Sequence, residues 1–459
     1  MTNPESKRVT VLFLLMEFAP VNTTGNFRSL KFIKYLQEYG INPVVVTFLE
    51  NEGASVFNAQ IDEQLLKDIP AGTMIYRIHC EDGQRYYRNK LRAFLTIYFS
   101  VKDNLAARWK KFLMLRLDKI IQDHKPTLIF TSLPPFSAGG LAVELSRKFR
   151  LPLVVDMRDL YSRWGNTPFG TRIHYWLTVL EERRIFAASQ TIIGVTPRLL
   201  EVFKSSHPGI SSSKFEFIPN GFDGDSNSIT DFNFSANQTK ISIGYVGSFY
   251  YQPEVRKQFA KPWWRRSGHR KFFYIPIKED WLYRSPYFFL KTIAQLLVMY
   301  PQLKEIIKIE FVGREPTWLK EMISEFALAN IVTIHGFVSH LRSIEIQQSF
   351  DVLLATSEKV VGEEHYCLPS KIFDYVGLSK PVIGFVTDGI QKDFILNSGI
   401  GIVCDPDNVE QSAEKMGRLF FDGANFKINR KYLQQFERKN TAIKLASLLK
   451  GSFTTEQIS

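Results

Sequence analysis

The chain has 459 residues, 45% of them hydrophobic and 23% charged, the mix of a soluble globular protein with material for two or three domains. Three widely spaced cysteines (Cys80, Cys367, Cys404) form neither a disulfide framework nor a metal signature, which favours a reducing, cytoplasmic compartment. No run reaches the roughly 20 apolar residues of a membrane span, and a net charge of +12 with 14% aromatics calls for an anionic partner: a membrane surface, a nucleotide or a nucleic acid.

The apolar run Arg8–Met16 is short and lacks a small-residue cleavage pattern, so it reads as a buried strand and not a signal peptide. Pro20 and Gly25 punctuate the loop after it. Leu30, Ile33 and Leu36 mark a helical face closing at Gly40, and Ile41–Leu49 is the next strand. This is a βαβ unit, hence a parallel sheet. It lacks the G-x-G-x-x-G fingerprint of dinucleotide binding. Gly25 either gives a turn its positive φ or lets backbone approach a ligand. Residues 74–79 form a third strand. Residues 85–120 are basic and aromatic: Arg85, Tyr86, Tyr87, Arg88, Lys90 and Arg92, then Arg108, Trp109, Lys110 and Lys111. Phe112, Leu115 and Ile120 alternate with charge at helical spacing. Such a helix suits an anionic lipid surface, or is an ordinary amphipathic helix with a solvated basic side.

A second βαβ unit spans 126–166: strand Thr127–Thr131, proline-rich loop Ser132–Ala138, helix Leu141–Phe149 and strand Leu153–Asp156. Asp156, Arg158 and Asp159 fall at the strand's end, the edge where parallel sheets bind ligands. Asp156 and Asp159 are the acidic candidates of this half; around the arginine they tune one another's pKa or form a surface ion pair. Glu181-Glu182-Arg183-Arg184 reads as a surface ion-pair cluster on a long helix. Gln190–Phe203 is a strand and a helix with Pro197 in its first turn. The Ser/Asn/Thr-rich segment 224–240 reads as a linker.

The pattern restarts at Ile241–Tyr250, a strand running into Gly247. Residues 251–282 then interpose a basic, aromatic stretch with Trp263, Trp264, Arg265, Arg266, His269, Arg270 and Lys271. It suits a membrane-facing lobe or a lid; no nucleic-acid module accompanies it, so nucleic acid is not the expected partner. Arg284, ahead of helix Tyr287–Leu297, offers a fork that fits phosphate oxygens, or is a surface arginine. Strands follow at 307–313, 330–338 and 351–357, with Gly313 and Gly336-Phe337-Val338 at strand ends. His335 reads as structural. Residues 398–408 complete the sheet and 437–450 form a closing helix.

Residues Glu363–Gly389 combine a polar loop, a short helix, a Lys380-Pro381 turn and the buried strand Val382–Val386. Ser370 is the expected N-cap, Lys371 opens the helix and Asp374 lies a turn inside it. Exposed N–H groups beside a lysine suit an anion, phosphate above all, and the carboxylate can take two sugar hydroxyls. The same residues also make an ordinary capped helix.

LPSKIFDYVGLSKPVIGF resembles the donor-binding segment of the retaining family 4 glycosyltransferases. Ile218-Pro219-Asn220-Gly221-Phe222-Asp223 is similar to that family's hinge, and Asp156-Met157-Arg158-Asp159 to its D-x-R-D. The resemblance implies the GT-B fold, an α/β architecture of two doubly wound Rossmann-like domains facing a cleft. It places an acceptor-side domain at 1–223, a linker at 224–240, a nucleotide-sugar domain at 241–429 with the 251–282 insertion, and a helix at 430–459 crossing back. It implies transfer of a sugar from a nucleotide-sugar donor to a saccharide or lipid-linked acceptor with retention, in cell-surface polysaccharide synthesis. The enzyme would lie in the cytoplasm or on the inner membrane face, touching anionic lipid through 85–120 and 251–282.

By the same resemblance Asp374 contacts the ribose and Glu364, or Glu363, the donor sugar; the family's own spacing for that acid falls on Tyr366. Gly25 and Asn26 face the donor phosphates and acceptor. Gly247 precedes the diphosphate-binding stretch, and Gly313 with Gly336, Phe337 and Val338 borders the nucleobase. Ser370 and Lys371 meet the diphosphate. The family's clamping Arg and Lys after the glycine that Gly247 matches are replaced here by Ser248-Phe249, and Arg284 is the substitute, offsetting the diphosphate's growing charge together with Lys371. Asp156 and Asp159 face the reacting sugar, and Asp159 orients the acceptor hydroxyl or accepts its proton, unless the leaving diphosphate does. No cofactor and no metal is implied. A non-catalytic nucleotide-sugar-binding protein and a sugar isomerase of the same fold are the rival readings.

Overall fold

The structure, a computed structural model, describes residues 8–83, 90–99, 103–165, 168–236, 238–338 and 340–451. Arg85, Tyr86, Tyr87 and Arg88 lie outside the described residues. The chain divides into two compact units. One is Met1–Asn220 with Gly268–Pro276 and Arg438–Ser459; the other is Gly221–Ser267 with Ile277–Glu437.

In the first unit, strands β1 Val9–Leu14, β2 Ile41–Phe48, β3 Met74–Ile78, β4 Leu128–Leu133, β5 Leu153–Met157, β6 Thr191–Gly194 and β7 Phe215–Phe217 form one parallel sheet. Their order is β3-β2-β1-β4-β5-β6-β7. The runs VTVLFL and LIFTSL are apolar almost throughout because the inner strands are covered on both faces. Helix α1, Asn26–Leu36, turns Leu30, Ile33 and Leu36 inward, where they share a core with Ala442, Leu445 and Leu449 of the closing helix Arg438–Gly451. Helix α2 is Lys90–Phe99, α3 Leu105–His124, α4 Ser137–Phe149 and α5 Arg172–Ala188. Helix α4 begins inside the expected loop Ser132–Ala138.

Two expectations for this unit are corrected. Arg108 and Trp109 of α3 do not face lipid: Trp109 is buried edge-on to Phe48 at 4.9 Å, and Arg108 Nε donates to the Glu81 carbonyl at 2.7 Å. The run Glu181–Arg184 is not all surface. Glu181 pairs with Arg184 at 2.7 Å, but Glu182 is buried, accepting from Ser162 and lying 2.7 Å from His207 Nε2.

In the second unit, β8 Ile241–Val246, β9 Ile307–Val312, β10 Val332–Ile334, β11 Val352–Thr356, β12 Val382–Phe385 and β13 Gly401–Cys404 form a parallel sheet in the order β10-β9-β8-β11-β12-β13. Helix α6 is Tyr287–Met299 and α7 Lys371–Gly377. Segment 224–240 is not a free linker. Phe232–Phe234 pairs antiparallel with Ala424–Phe426, and Phe232 and Phe234, two residues apart, both enter the core. The 251–282 stretch is not one lobe either. Pro253–Ala260 is helical; Phe169 and Tyr274 exchange backbone hydrogen bonds of 2.9 and 3.0 Å, tying Gly268–Pro276 to the first unit; Glu279–Asp280 pairs with Lys359–Val360.

Each sheet reverses its winding beside its first strand, at β1/β4 and at β8/β11. Ligands of open α/β sheets bind outside the carboxyl ends of the strands at such switch points. Among the described residues no helix is long and apolar enough to cross a membrane.

Candidate functional site

The β8/β11 switch point is built around glycines. After Val246 the chain turns at Gly247, whose φ is 131°, and its N–H donates to Val312 at 2.7 Å. Gly313 follows β9 with φ 143° and donates to the Gly336 carbonyl at 2.8 Å; Gly336 has φ 70°. A Cβ on Gly247 would lie 1.8 Å from Lys371 Nζ, and one on Gly313 would lie 2.5 Å from the Gly247 carbonyl oxygen. Only glycine fits this approach. The Lys371 ammonium donates to Tyr245 Oη at 3.1 Å and sits 4.6 Å from that ring's centre, while Tyr245 stacks on Phe249 at 4.3 Å. A half-buried cation is thus fixed against bare backbone at the carboxyl end of β8.

Around it, α7 presents Asp374 outward and buries Phe373 and Tyr375. Ser370 holds the N-cap position with a helical backbone, but its side chain makes no capping hydrogen bond, contrary to expectation. Phe337 and Glu364 are exposed, and Val338 packs against the core.

Arg284 lines one small cavity of about 20 Å³ with Lys371, Tyr245 and Thr356, room for about one water. Its Nη1 donates to Glu358 Oε2 at 2.8 Å, and Thr356 Oγ1 donates to its carbonyl at 3.0 Å. The expected phosphate fork is therefore engaged on one side by a buried carboxylate. His365 Nε2 lies 3.2 Å from the other Glu358 oxygen. Burial alone would raise the Glu358 carboxyl, but the charges of Arg284 and His365 outweigh it and hold Glu358 well below the usual range.

Glu279 is the opposite case. Its Oε1 accepts from Tyr366 Oη at 2.8 Å and its Oε2 from Trp281 Nε1 at 3.0 Å. Burial and then the Glu358 charge push it up to about 7. One carboxylate stays ionised while its neighbour holds a proton near neutrality, a division of states that suits acid–base or hydroxyl-binding work. Glu279, Glu358 and His365 escaped the sequence reading. Glu358 could have been found by the reasoning that singled out Asp156, since it too follows a strand's carboxyl end. The acid sought at position 366 is a tyrosine, and that tyrosine grips a carboxyl group 87 residues away.

In the first unit two expectations change. Asp156 is fully buried: it accepts from Arg28 Nε at 2.9 Å, from Arg28 Nη2 at 2.8 Å and from Ser132 Oγ at 2.7 Å. Arg28 also donates to the carbonyls of Ile218 and Pro219 at 2.8 and 2.7 Å. Asp156 therefore anchors the 218–220 segment and cannot face a substrate. Asn26 is likewise buried, its Nδ2 donating to Val21 at 3.0 Å, so it shapes the loop instead of lining it. Gly25 lies against the Glu17–Arg158 ion pair, where a Cβ would strike both side chains. Asp159 is half-buried at the end of β5. Gly247, Gly313, Gly336, Arg284 and Lys371 are brought together in the second unit; Gly25, Asn26, Asp156 and Asp159 belong to the first. Among the described residues no group of three or more His, Cys, Asp or Glu side chains is placed to hold a metal ion.

Residues 281–439 match the family model described as glycosyl transferases group 1. That segment, nearly all of it in the second unit, is a glycosyl transferase group 1 domain. No curated protein matches the chain. Similar solved structures include sucrose-phosphate synthase from Thermosynechococcus elongatus, at 13% identity over 98% of this chain and 100% of that one, with a TM-score of 0.60. The lipopolysaccharide outer core galactosyltransferase WaaB, in its apo form, shows 12% identity over 96% and 100% of the two chains, with a TM-score of 0.55. HepE of Anabaena, in complex with UDP and glucose, shows 13% identity over 96% and 95%, with a TM-score of 0.51. At these identities the likeness shows the fold alone, which is GT-B.

Proposed function

We propose that the chain transfers a sugar from a nucleoside-diphosphate donor to a saccharide or lipid-linked acceptor, with retention, in the building of a cell-surface polysaccharide. The observation that carries this reading is the Lys371 ammonium held over the glycine turn at the β8/β11 switch point, inside the segment that matches the glycosyl transferases. The diphosphate lies against the backbone of Gly247 and Gly313, outside a cavity too small to contain it. Lys371 offsets the charge that grows on the leaving phosphate, and Asp374 takes the ribose hydroxyls. Glu279, set by Tyr366, supplies a carboxyl group for a sugar hydroxyl where position 366 has none. Asp159 orients the acceptor hydroxyl, or the departing diphosphate takes its proton. Retention rests on the likeness of residues 368–385 to the retaining family. HepE, which shares the fold, is seen with UDP and glucose, so uridine donors are the first to try.

The test is thermal stabilisation by a panel of nucleoside diphosphates and their sugars. A ligand present at a hundred times its Kd adds about 2.7 kcal/mol to stability, which the melting temperature reads directly. Stabilisation by one nucleotide family, lost in Lys371→Ala, supports the site. A panel in which nothing shifts the melting temperature contradicts it.

A further inference from the structure

The first half of helix α5 is inside out. Its buried side carries His174, Thr178 and Glu182 before Ile185 and Phe186 restore an apolar core face in the last turns, while its outward side carries Ile173, Trp176, Leu177 and Leu180. Trp176 is 64% exposed and Leu180 56%. A surface helix of a globular domain has the reverse arrangement, with its apolar stripe toward the core. The inversion is not a failure of packing, because the inward polar groups are used: Glu182 accepts from Ser162 and meets His207.

The exposed stripe does not stand alone. Helix α2 packs against α5 and adds exposed Leu91, Phe94 and Leu95. Segment Gly268–Pro276 joins the start of α5, where Tyr274 meets Tyr175 at 4.7 Å and the Arg172 guanidinium at 5.5 Å, and it adds exposed Phe272. All three pieces belong to the first unit. They also share a charge pattern. Lys90–Phe99, Arg172–Leu180 and Gly268–Pro276 contain no aspartate or glutamate, while Lys90, Arg172, Arg270 and Lys271 are exposed among them.

We propose that this face, α2 with the outward side of α5 and the 268–276 segment, docks on an anionic lipid bilayer. Aromatic and aliphatic side chains enter the boundary between headgroups and acyl chains while the surrounding cations meet lipid phosphates. Charge selects this occupant over a second copy of the chain. A two-fold interface would set the same patch, and so the same cations, against itself. The proposal goes beyond the sugar-transfer reading and stands whether or not the second unit binds a nucleotide sugar.

The experiment is flotation of the full chain with vesicles of phosphatidylcholine, with and without phosphatidylglycerol, at low and high salt. The wild type is expected to float with the anionic vesicles and to be released by salt. Trp176→Ser/Leu180→Ser is expected to weaken binding about tenfold or more at an unchanged melting temperature, because both side chains already face water. Arg270→Gln/Lys271→Gln is expected to weaken it about fivefold per charge and to flatten the salt dependence. Leu115→Ser, on the exposed side of α3, should float as the wild type does. The proposal is overturned if the wild type ignores anionic vesicles or if the Trp176/Leu180 variant floats undiminished. It is equally overturned if the wild type is a dimer that the same variant turns into a monomer.

Discussion

At the scale of single residues, the second unit sets two carboxyl groups to opposite states within one cluster. Glu279 is raised from an ordinary value of 4.5 to about 7, so the folded chain keeps its proton where the unfolded chain loses it. Between about pH 4.5 and 7 the folded state binds more protons, stability falls as pH rises, and the loss levels off above that window. Glu279→Gln cannot ionise and should erase this slope. Its stability relative to wild type should rise by on the order of 1–3 kcal/mol between pH 5 and pH 8, as read by denaturant unfolding. A difference that does not change with pH contradicts the assignment. Asp156 carries a different prediction. Asp156→Ala leaves the Arg28 guanidinium buried without its carboxylate and should cost about 3–5 kcal/mol. A cost below about 1 kcal/mol, the range of a surface pair, would argue against the anchoring role.

At the scale of elements, what could be read from the sequence divides by mechanism. Strands covered on both faces announce themselves as apolar runs, and β1, β2, β5, β8 and β12 were legible for that reason. Pro197 at the start of its helix was legible because proline suits that position. Three features were hidden. Phe232 and Phe234 sit in a polar stretch whose composition reads as a linker, yet their two-residue spacing is that of a strand. Glu182 sits in a charge run that reads as solvated, and only its partners Ser162 and His207, 20 and 25 residues away, reveal its burial. Glu279 is placed by a two-residue pairing with Lys359–Val360, too short to leave a periodic trace. The strand at 232–234 can be tested. Phe234→Ala should destabilise the fold by about 3–5 kcal/mol, whereas substitution in a true linker stays within about 0.5 kcal/mol; thermal denaturation distinguishes the two.

At the scale of the molecule, both units repeat one plan, a parallel sheet whose winding reverses next to its first strand, and the plan was legible from the alternation of strands and helices. The chemistry is less evenly distributed. The family match at 281–439 falls on the unit that holds Lys371, Arg284, Glu279 and Glu358, while the most conspicuous acid of the first unit, Asp156, turned out to be a buried anchor. Spacing located the donor segment, but it could not tell which polar residues face outward, because long-range pairs such as Arg28–Asp156 and Tyr366–Glu279 decide that. The account rests on a cation fixed over a glycine turn at a sheet's switch point. Calorimetric titration of the best-binding nucleoside diphosphate into wild type, Lys371→Ala and Asp374→Ala tests it most directly. The account predicts affinity lower by about tenfold or more in each variant, the worth of one charge-assisted contact; unchanged affinity in both would contradict it.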